Sequence, residues 1–522
     1  MLTSLFVLLF IISIFSSGFY LRSKILRSMD GATGFFSAIA LGVFAHGIFG
    51  LLVSFCGDNK HEVSLVIFFL NLILFAKPAF IALKTDWMDF SRIERTVIGV
   101  WPALVIVLIG ITLIPVDMPK TLIDGPYVFK NDELHVRIQR ITGDLPADNF
   151  VPHVASEFML RDISFTENRP MLPGQEVVNR TFLMPLISVY FQSIIGQRAL
   201  QKEPLGTFEY VGTQWPDVGS LGEGKYFYRF LVVGILLNSL LFLSLVVIAR
   251  KMKMQWVLLP AALIMATTPY FISQVIFTWP KSLAGYFIIL AVLLVAEKKF
   301  YWFAGLLFAL AYHSHPFAMG FAGFTGLFLI YHWIMQQCTF KNVLEFGGVF
   351  VLIIAPWFFW THIVLDISGD LVGQNFFNFN SWVDFFWVRI TNLFTLTMPI
   401  MLSASSLNSN TFYLQSNVCI PGIVGLFFVV QSLLWFYENG RENRYLSIWY
   451  VLLPLVLMWG IFSVPNVPAL HGFQSIFPFM LMVGLHFSKQ KFTNYTFYTL
   501  VAAQLALNLT VIIARGSDVF MF

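Results

Sequence analysis

The chain has 522 residues, of which 57% are hydrophobic and only 11% charged, where a soluble protein is roughly a quarter charged. A folded core cannot hide that much apolar surface, so lipid must cover much of it, which excludes a soluble or secreted domain. The formal net charge of +4 is small and spread over many loops, so no nucleic-acid partner is implied. Cys56, Cys338 and Cys419 stand far apart and have no metal or redox spacing.

A helix that spans a bilayer needs roughly 17–25 apolar residues. In chain order such runs lie near 2–21, 33–56, 63–83, 96–116, 226–249, 255–277, 282–297, 301–314, 316–337, 343–363, 417–437, 445–464, 473–488 and 494–514. The expected fold is therefore an all-α polytopic membrane protein with about fourteen transmembrane helices (range 12–14). The first run lacks a basic leader and a small-residue cleavage site, and reads as a span and not a removable signal. Lys and Arg crowd into one set of alternate short loops, from Arg22, Lys24 and Arg27 through Arg250 and Lys251 to Lys489 and Lys491. The positive-inside rule makes that side cytoplasmic and puts both termini on the other.

The same alternation places a long polar loop, 117–225, on the outer side, with acids outnumbering bases in it. Within it, 132–142 carries Leu134, Ile138 and Ile141 at helical spacing and reads as a short amphipathic helix. Thr181 to Gly196 is apolar enough to be re-entrant or to lie on the membrane. A second outer loop, 364–416, holds Trp382-Val383-Asp384-Phe385-Phe386-Trp387-Val388-Arg389, which reads as a helix at headgroup depth. The loops thus carry interfacial helices.

Candidate chemistry concentrates in the first loop. Asp132 and Glu133 are adjacent carboxylates within reach of a membrane surface, followed by His135 and Arg137. A carboxylate there can take a proton from an acceptor hydroxyl or hold a divalent cation. The plain structural reading makes them helix N-terminal acids stabilised by the macrodipole. Asp124, before Gly125-Pro126, suits a turn. Arg169, Arg229 and Lys281 are outer-side cations that could hold a lipid phosphate, or simply reach for headgroups. His313 and His315, beside Pro316, and His471 stand at outer span ends and read as polar lining of a cavity, not as a metal site. Asn179, Asn494 and Asn508 open N-x-Ser/Thr triplets that read as chance.

The order of these parts resembles the GT-C superfamily of membrane glycosyltransferases, in particular the family 39-like branch of aminoarabinose transferases and protein O-mannosyltransferases. Asp132-Glu133-Leu134-His135 looks like the acidic pair that follows a span in that family. Arg169-Pro170-Met171-Leu172 and Met184-Pro185-Leu186 are loosely similar to its Pro-Leu segment. Tyr228-Arg229-Phe230, Ala262 to Pro269 and Phe303 to Ala311 resemble the segments that follow, and Gln474 to Pro478 a late one. Two features depart from the family: three spans precede the expected first one, and Trp279-Pro280-Lys281 stands where an acidic residue is often found.

The resemblance implies three regions: added N-terminal transmembrane helices in 1–95, a GT-C-like core in 96–337 that includes the outer loop 117–225, and a C-terminal transmembrane region in 338–522 with the loop 364–416. It implies sugar transfer, with inversion, from a polyprenyl-phosphate sugar donor to a lipid or glycan acceptor of the envelope, in a bacterial inner membrane with the site facing the periplasm. Asp132 or Glu133 would be the base, and Lys281, Arg229 or Arg169 would steady the departing phosphate. No cofactor is required, though some members use a divalent cation. The competing reading is a transporter or flippase of a lipid-linked saccharide, and a third is a structural subunit of an envelope assembly. The near absence of acids inside the spans and the polar outer loop favour the enzyme.

Overall fold

In hydrocarbon only a helix or a closed barrel satisfies its own backbone polar groups, and this chain's long apolar runs become helices. The structure, a computed structural model, describes residues 2–29, 31–113, 127–130, 133–137, 144–166, 172, 177, 180–196, 206–217, 225–276, 279–367, 381–387, 422–439 and 467–515. The first four helices are α1 (Leu2–Ile25), α2 (Gly31–Ser54), α3 (Lys60–Asp89) and α4 (Arg92–Thr112). After the loop come α5 (Ala147–Arg161), α6 (Leu183–Ile194), α7 (Lys225–Asn238), α8 (Leu240–Lys251), α9 (Leu258–Thr267) and α10 (Pro269–Ile276). The rest are α11 (Lys281–Ala296), α12 (Tyr301–Ser314), α13 (Ala318–Ile334), α14 (Phe340–Phe359), α15 (Gly422–Asn439), α16 (Val467–Lys491) and α17 (Asn494–Arg515).

Six of these segments are long and apolar enough to cross a membrane, or seven with one bent pair, among the described residues. That is fewer than the fourteen expected. α11, α12 and α13 hold 16, 14 and 17 residues, about 21–26 Å of helix, which falls short of the roughly 30 Å hydrocarbon thickness. The run expected at 445–464 lies outside the described residues. The bent pair is α9 and α10, at 62°. Pro269 has no N–H to continue the helix, and Thr268 before it is extended, at φ −71 and ψ 122. Asn508 of α17 stabilises the break by donating from Nδ2 to the Ile264 carbonyl at 3.3 Å and to Thr267 Oγ1 at 3.1 Å.

Ion pairs gather at the basic end and join neighbouring helices. Arg22 of α1 meets Asp86 of α3 at 2.5 Å, and Arg250 of α8 meets Glu94 of α4 at 3.3 Å. Lys251 pairs with Glu297 after α11, and Lys491 of α16 with Glu438 of α15 at 3.2 Å. Glu94 also completes a capping box with Ser91, which fixes where α4 begins. Between the ends, contacts rely on small residues and buried polar groups. A Cβ at Gly42 would lie 2.1 Å from the Ile14 carbonyl oxygen, so α1 and α2 approach backbone to backbone. Ser13, His46 and Asn71, all buried, tie α1, α2 and α3 together through Ser13 Oγ at 3.0 Å from His46 Nε2 and 2.8 Å from Asn71 Nδ2.

One expectation about the polar loop changes. The stretch read as a helix over 132–142 begins as a strand. β1 (Tyr127–Lys130), β2 (Glu133–Arg137) and β3 (Asp144–Pro146) form an antiparallel sheet in that order. Lys130 pairs with Glu133, and the two residues between them in sequence, Asn131-Asp132, are types that favour hairpin loops. Tyr127, Val128, Phe129 and Val136 suit pleated backbone, and cross-strand pairing outweighs the helical spacing of three leucine-type residues. A second hairpin joins β4 (Thr207–Tyr210) to β5 (Thr213–Pro216).

Thr181 to Gly196, expected to be re-entrant or to lie on the membrane, holds α6, which is packed within the protein. Every residue of α6 except the partly buried Leu186 is buried, its polar Ser188, Gln192 and Ser193 included. It packs against α2, α3, α5, α7 and α12 and links the loop to the bundle. The stretch 382–387 is helical, with Trp382, Val383 and Trp387 largely exposed.

Replacing Gly42 with leucine is expected to destabilise the chain by about 1–3 kcal/mol through overpacking. Gly99→Leu, where a Cβ meets nothing within 4 Å, should leave the thermal midpoint of the detergent-solubilised protein unchanged.

Candidate functional site

The end of the bundle opposite the ion-pair layer holds a cluster built around Trp279. Trp279 and Pro280 form the turn between α10 and α11, and Lys281 is the first residue of α11. Asn238, the buried last residue of α7, fixes this turn from both sides. Its Nδ2 donates to the Trp279 carbonyl at 3.2 Å, and its Oδ1 accepts from the Leu283 N–H at 3.2 Å. A carboxamide can do both at once, which a carboxylate or hydroxyl at this place would not do as well.

The indole so held is in contact with two cations. Lys281 Nζ lies 3.7 Å from the ring centroid and the Arg180 guanidinium carbon 4.0 Å. The His315 ring stands 5.6 Å away, at the turn between α12 and α13. His315 Nδ1 accepts from the Phe317 N–H at 3.3 Å, which leaves Nε2 as the protonated nitrogen of the neutral ring. Arg180, Lys281 and His315 are exposed by only 8%, 2% and 5%, so the positive charge is held out of water.

A cation–π contact contributes about 0.5–2 kcal/mol, while withdrawing each cation from water costs several kcal/mol. The two cations on one ring also repel each other. In chemical type, a guanidinium can bind a phosphate in a bidentate manner and an ammonium as a point charge.

Nearby, Gln474 of α16 donates to Gln274 of α10 at 2.8 Å, both buried, which ties α10 to the C-terminal helices. A second buried group lies on α5. Glu157 accepts from Arg161 Nε at 3.1 Å, and the His153 ring packs within 5.2–5.3 Å of Phe227 and Phe230 of α7. Lys60 at the start of α3 pairs with Asp162 at 2.6 Å, which fastens the end of α5 to the N-terminal helices.

Of the residues singled out from the sequence, Lys281 and His315 come together at Trp279. His313 does not join them. It turns elsewhere, and its Nε2 lies 3.0 Å from the Ile353 carbonyl oxygen, which links α12 to α14. Arg229 is half-buried in α7, and His471 belongs to α16. Glu133, His135 and Arg137 are in β2, opposite Lys130, Pro146 and Asp144. Asp132, Arg169 and Asp124 lie outside the described residues.

Arg180 is the residue that sequence reasoning missed. It drew attention only as the middle of the Asn179 triplet. Its one local signal was a cation placed just before an apolar segment of the outer loop. Among the described residues, no three His, Cys, Asp or Glu side chains gather so as to hold a metal ion. A scan against protein-family models gives no match, and a search of curated proteins also gives none.

Asn238→Ala should lower stability by about 1–3 kcal/mol, since it leaves the Trp279 carbonyl and the Leu283 N–H without their partner. Thermal unfolding of the solubilised chain, compared with Asn238→Gln and wild type, reads this directly.

Proposed function

We propose that this chain is a GT-C type membrane glycosyltransferase that uses a polyprenyl-phosphate sugar, with Arg180 and Lys281 holding the carrier's phosphate. The observation that carries the proposal is the buried pair of cations on Trp279, at the bundle end that bears the polar loop. The reading takes the short helices as members of a bundle of about fourteen crossing segments. It places that end outside the cytoplasm, on the periplasmic face of a bacterial inner membrane, in keeping with the positive-inside rule.

In this reading, negative charge grows on the carrier phosphate as the bond to the sugar breaks. Fixed cations in a dry site stabilise that charge without reorganisation. Asp132 or Glu133 takes the proton of the acceptor hydroxyl on the opposite side of the sugar, which gives inversion. His135, Arg137, Arg169, Arg229 and His471 are candidates for sugar and acceptor contacts, and His315 for a hydrogen bond to the phosphate. The residues present provide no closed ligand set for a divalent cation among the described residues, and no step is assigned to one. The acceptor is a lipid or glycan of the envelope.

A flippase for a lipid-linked saccharide is the second reading. The 62° bend at Thr268-Pro269 favours it, since broken helices are common in transporters. Mass analysis of envelope lipids and glycans, with and without the protein, identifies the product. Lys281→Gln and Arg180→Gln should then each lower the rate of its formation by about 10²–10³, and Asp132→Asn with Glu133→Gln should abolish it while donor binding persists. A flippase makes no bond itself, so neutralising both acids would leave the amount of that envelope product unchanged, and that result would rule out the transferase.

A further inference from the structure

α3 presents opposite faces to the protein and to its surroundings. Its buried residues are Lys60, Ser64, Phe68, Asn71, Ala79 and Asp86, which form one stripe, and Phe75 stacks on Tyr20 of α1 at 4.2 Å. The exposed stripe holds Val66, Leu70, Ile73, Phe80 and Met88 together with two lysines, Lys77 and Lys84. At 3.6 residues per turn, those lysines lie about 180–200° around the helix from Phe75, so they face directly away from the bundle.

Their depth is what sets them apart. Lys84 follows the apolar run 63–83 and lies just before Asp86 of the ion-pair layer, so it sits at the membrane boundary of the basic end. Lys77 is seven residues earlier, about 10 Å deeper along the axis, among exposed apolar side chains. Neither lysine has a hydrogen-bond or ion-pair partner among the described residues. Of the two acids at this end of the helix, Asp86 is turned inward to Arg22 and Asp89 lies against Gly31 of α2. A cation at such depth is costly in lipid and marks a functional position more often than a neutral one.

We infer that this stripe binds one anionic phospholipid, with its phosphate between Lys77 and Lys84 and its acyl chains along Ile73, Leu70 and Val66. Helical side chains lean toward the N-terminus, which directs Lys84 inward, toward Lys77. Lys77 has an apolar stem that can reach outward along the helix. The two ammonium groups can thus meet one phosphate about midway between their positions. The stripe runs along the membrane normal, as a phospholipid does, with the cations at its headgroup end. A partner helix would need two acids seven residues apart to match it, and a lipid needs only the charge that it already carries.

The test uses the full chain in phosphatidylcholine nanodiscs with spin-labelled phosphatidylglycerol or spin-labelled phosphatidylcholine, reading the motionally restricted signal. Wild type should favour phosphatidylglycerol, and the preference should fall by about fivefold for each of Lys77→Leu and Lys84→Leu. The double Lys→Arg variant should restore it, which separates lost charge from lost fold. Equal retention of the two lipids by wild type, or an unchanged preference in the double leucine variant, overturns the inference. The first of these results would leave the stripe to an acidic helix of a partner protein.

Discussion

The bundle is organised by where its charge can lie. Hydrocarbon tolerates few charges, so the ionised side chains that join helices are drawn to the ends. At the basic end they occur as pairs: Arg22 with Asp86, Arg250 with Glu94, Lys251 with Glu297 and Lys491 with Glu438. Each joins segments well separated in sequence. At the opposite end the arrangement differs. There, Arg180 and Lys281 share an indole. Lys60 pairs with Asp162 away from the basic end too, so what sets the opposite end apart is this indole with two cations on its ring.

That asymmetry depends on how firmly the Trp279 turn is held. Asn238 secures it from α7, the Gln274–Gln474 pair secures the preceding helix from α16, and Asn508 stabilises the bend that starts α10. α6 brings the polar loop in beside these helices, and Arg180 stands two residues before the apolar entry to it. A loop residue is thus positioned by the bundle itself. The packing that allows this is close, as at Gly50, where a Cβ would come within 1.9 Å of the Leu186 carbonyl oxygen.

Much of the architecture could be read from the chain. Long apolar runs and alternating basic loops located α1 to α4, the α7–α8 span and α14, because hydrophobic length is a local property. Short helices such as α11 and α13 have the composition of full spans, and composition does not say whether a run crosses alone or only within a bundle. The strand at Glu133–Arg137 was hidden because its pairing partners, Tyr127–Lys130 and Asp144–Pro146, lie outside the window in which periodicity is judged. Lys281 and His315 were visible as polar residues at span ends. Their meeting with Arg180 was not, for it depends on a contact between the loop and a helix start about a hundred residues further along the chain.

The proposed transfer requires that the carrier's phosphate rest between these two side chains. A phosphorus-to-nitrogen distance measurement by solid-state magnetic resonance, on the nitrogen-labelled chain with bound polyprenyl phosphate, addresses that directly. Contact predicts dephasing of one lysine ammonium and one guanidinium signal by the phosphorus, the lysine signal being absent from Lys281→Gln. Bound polyprenyl phosphate that dephases neither, or that dephases the same lysine signal in Lys281→Gln, would contradict it.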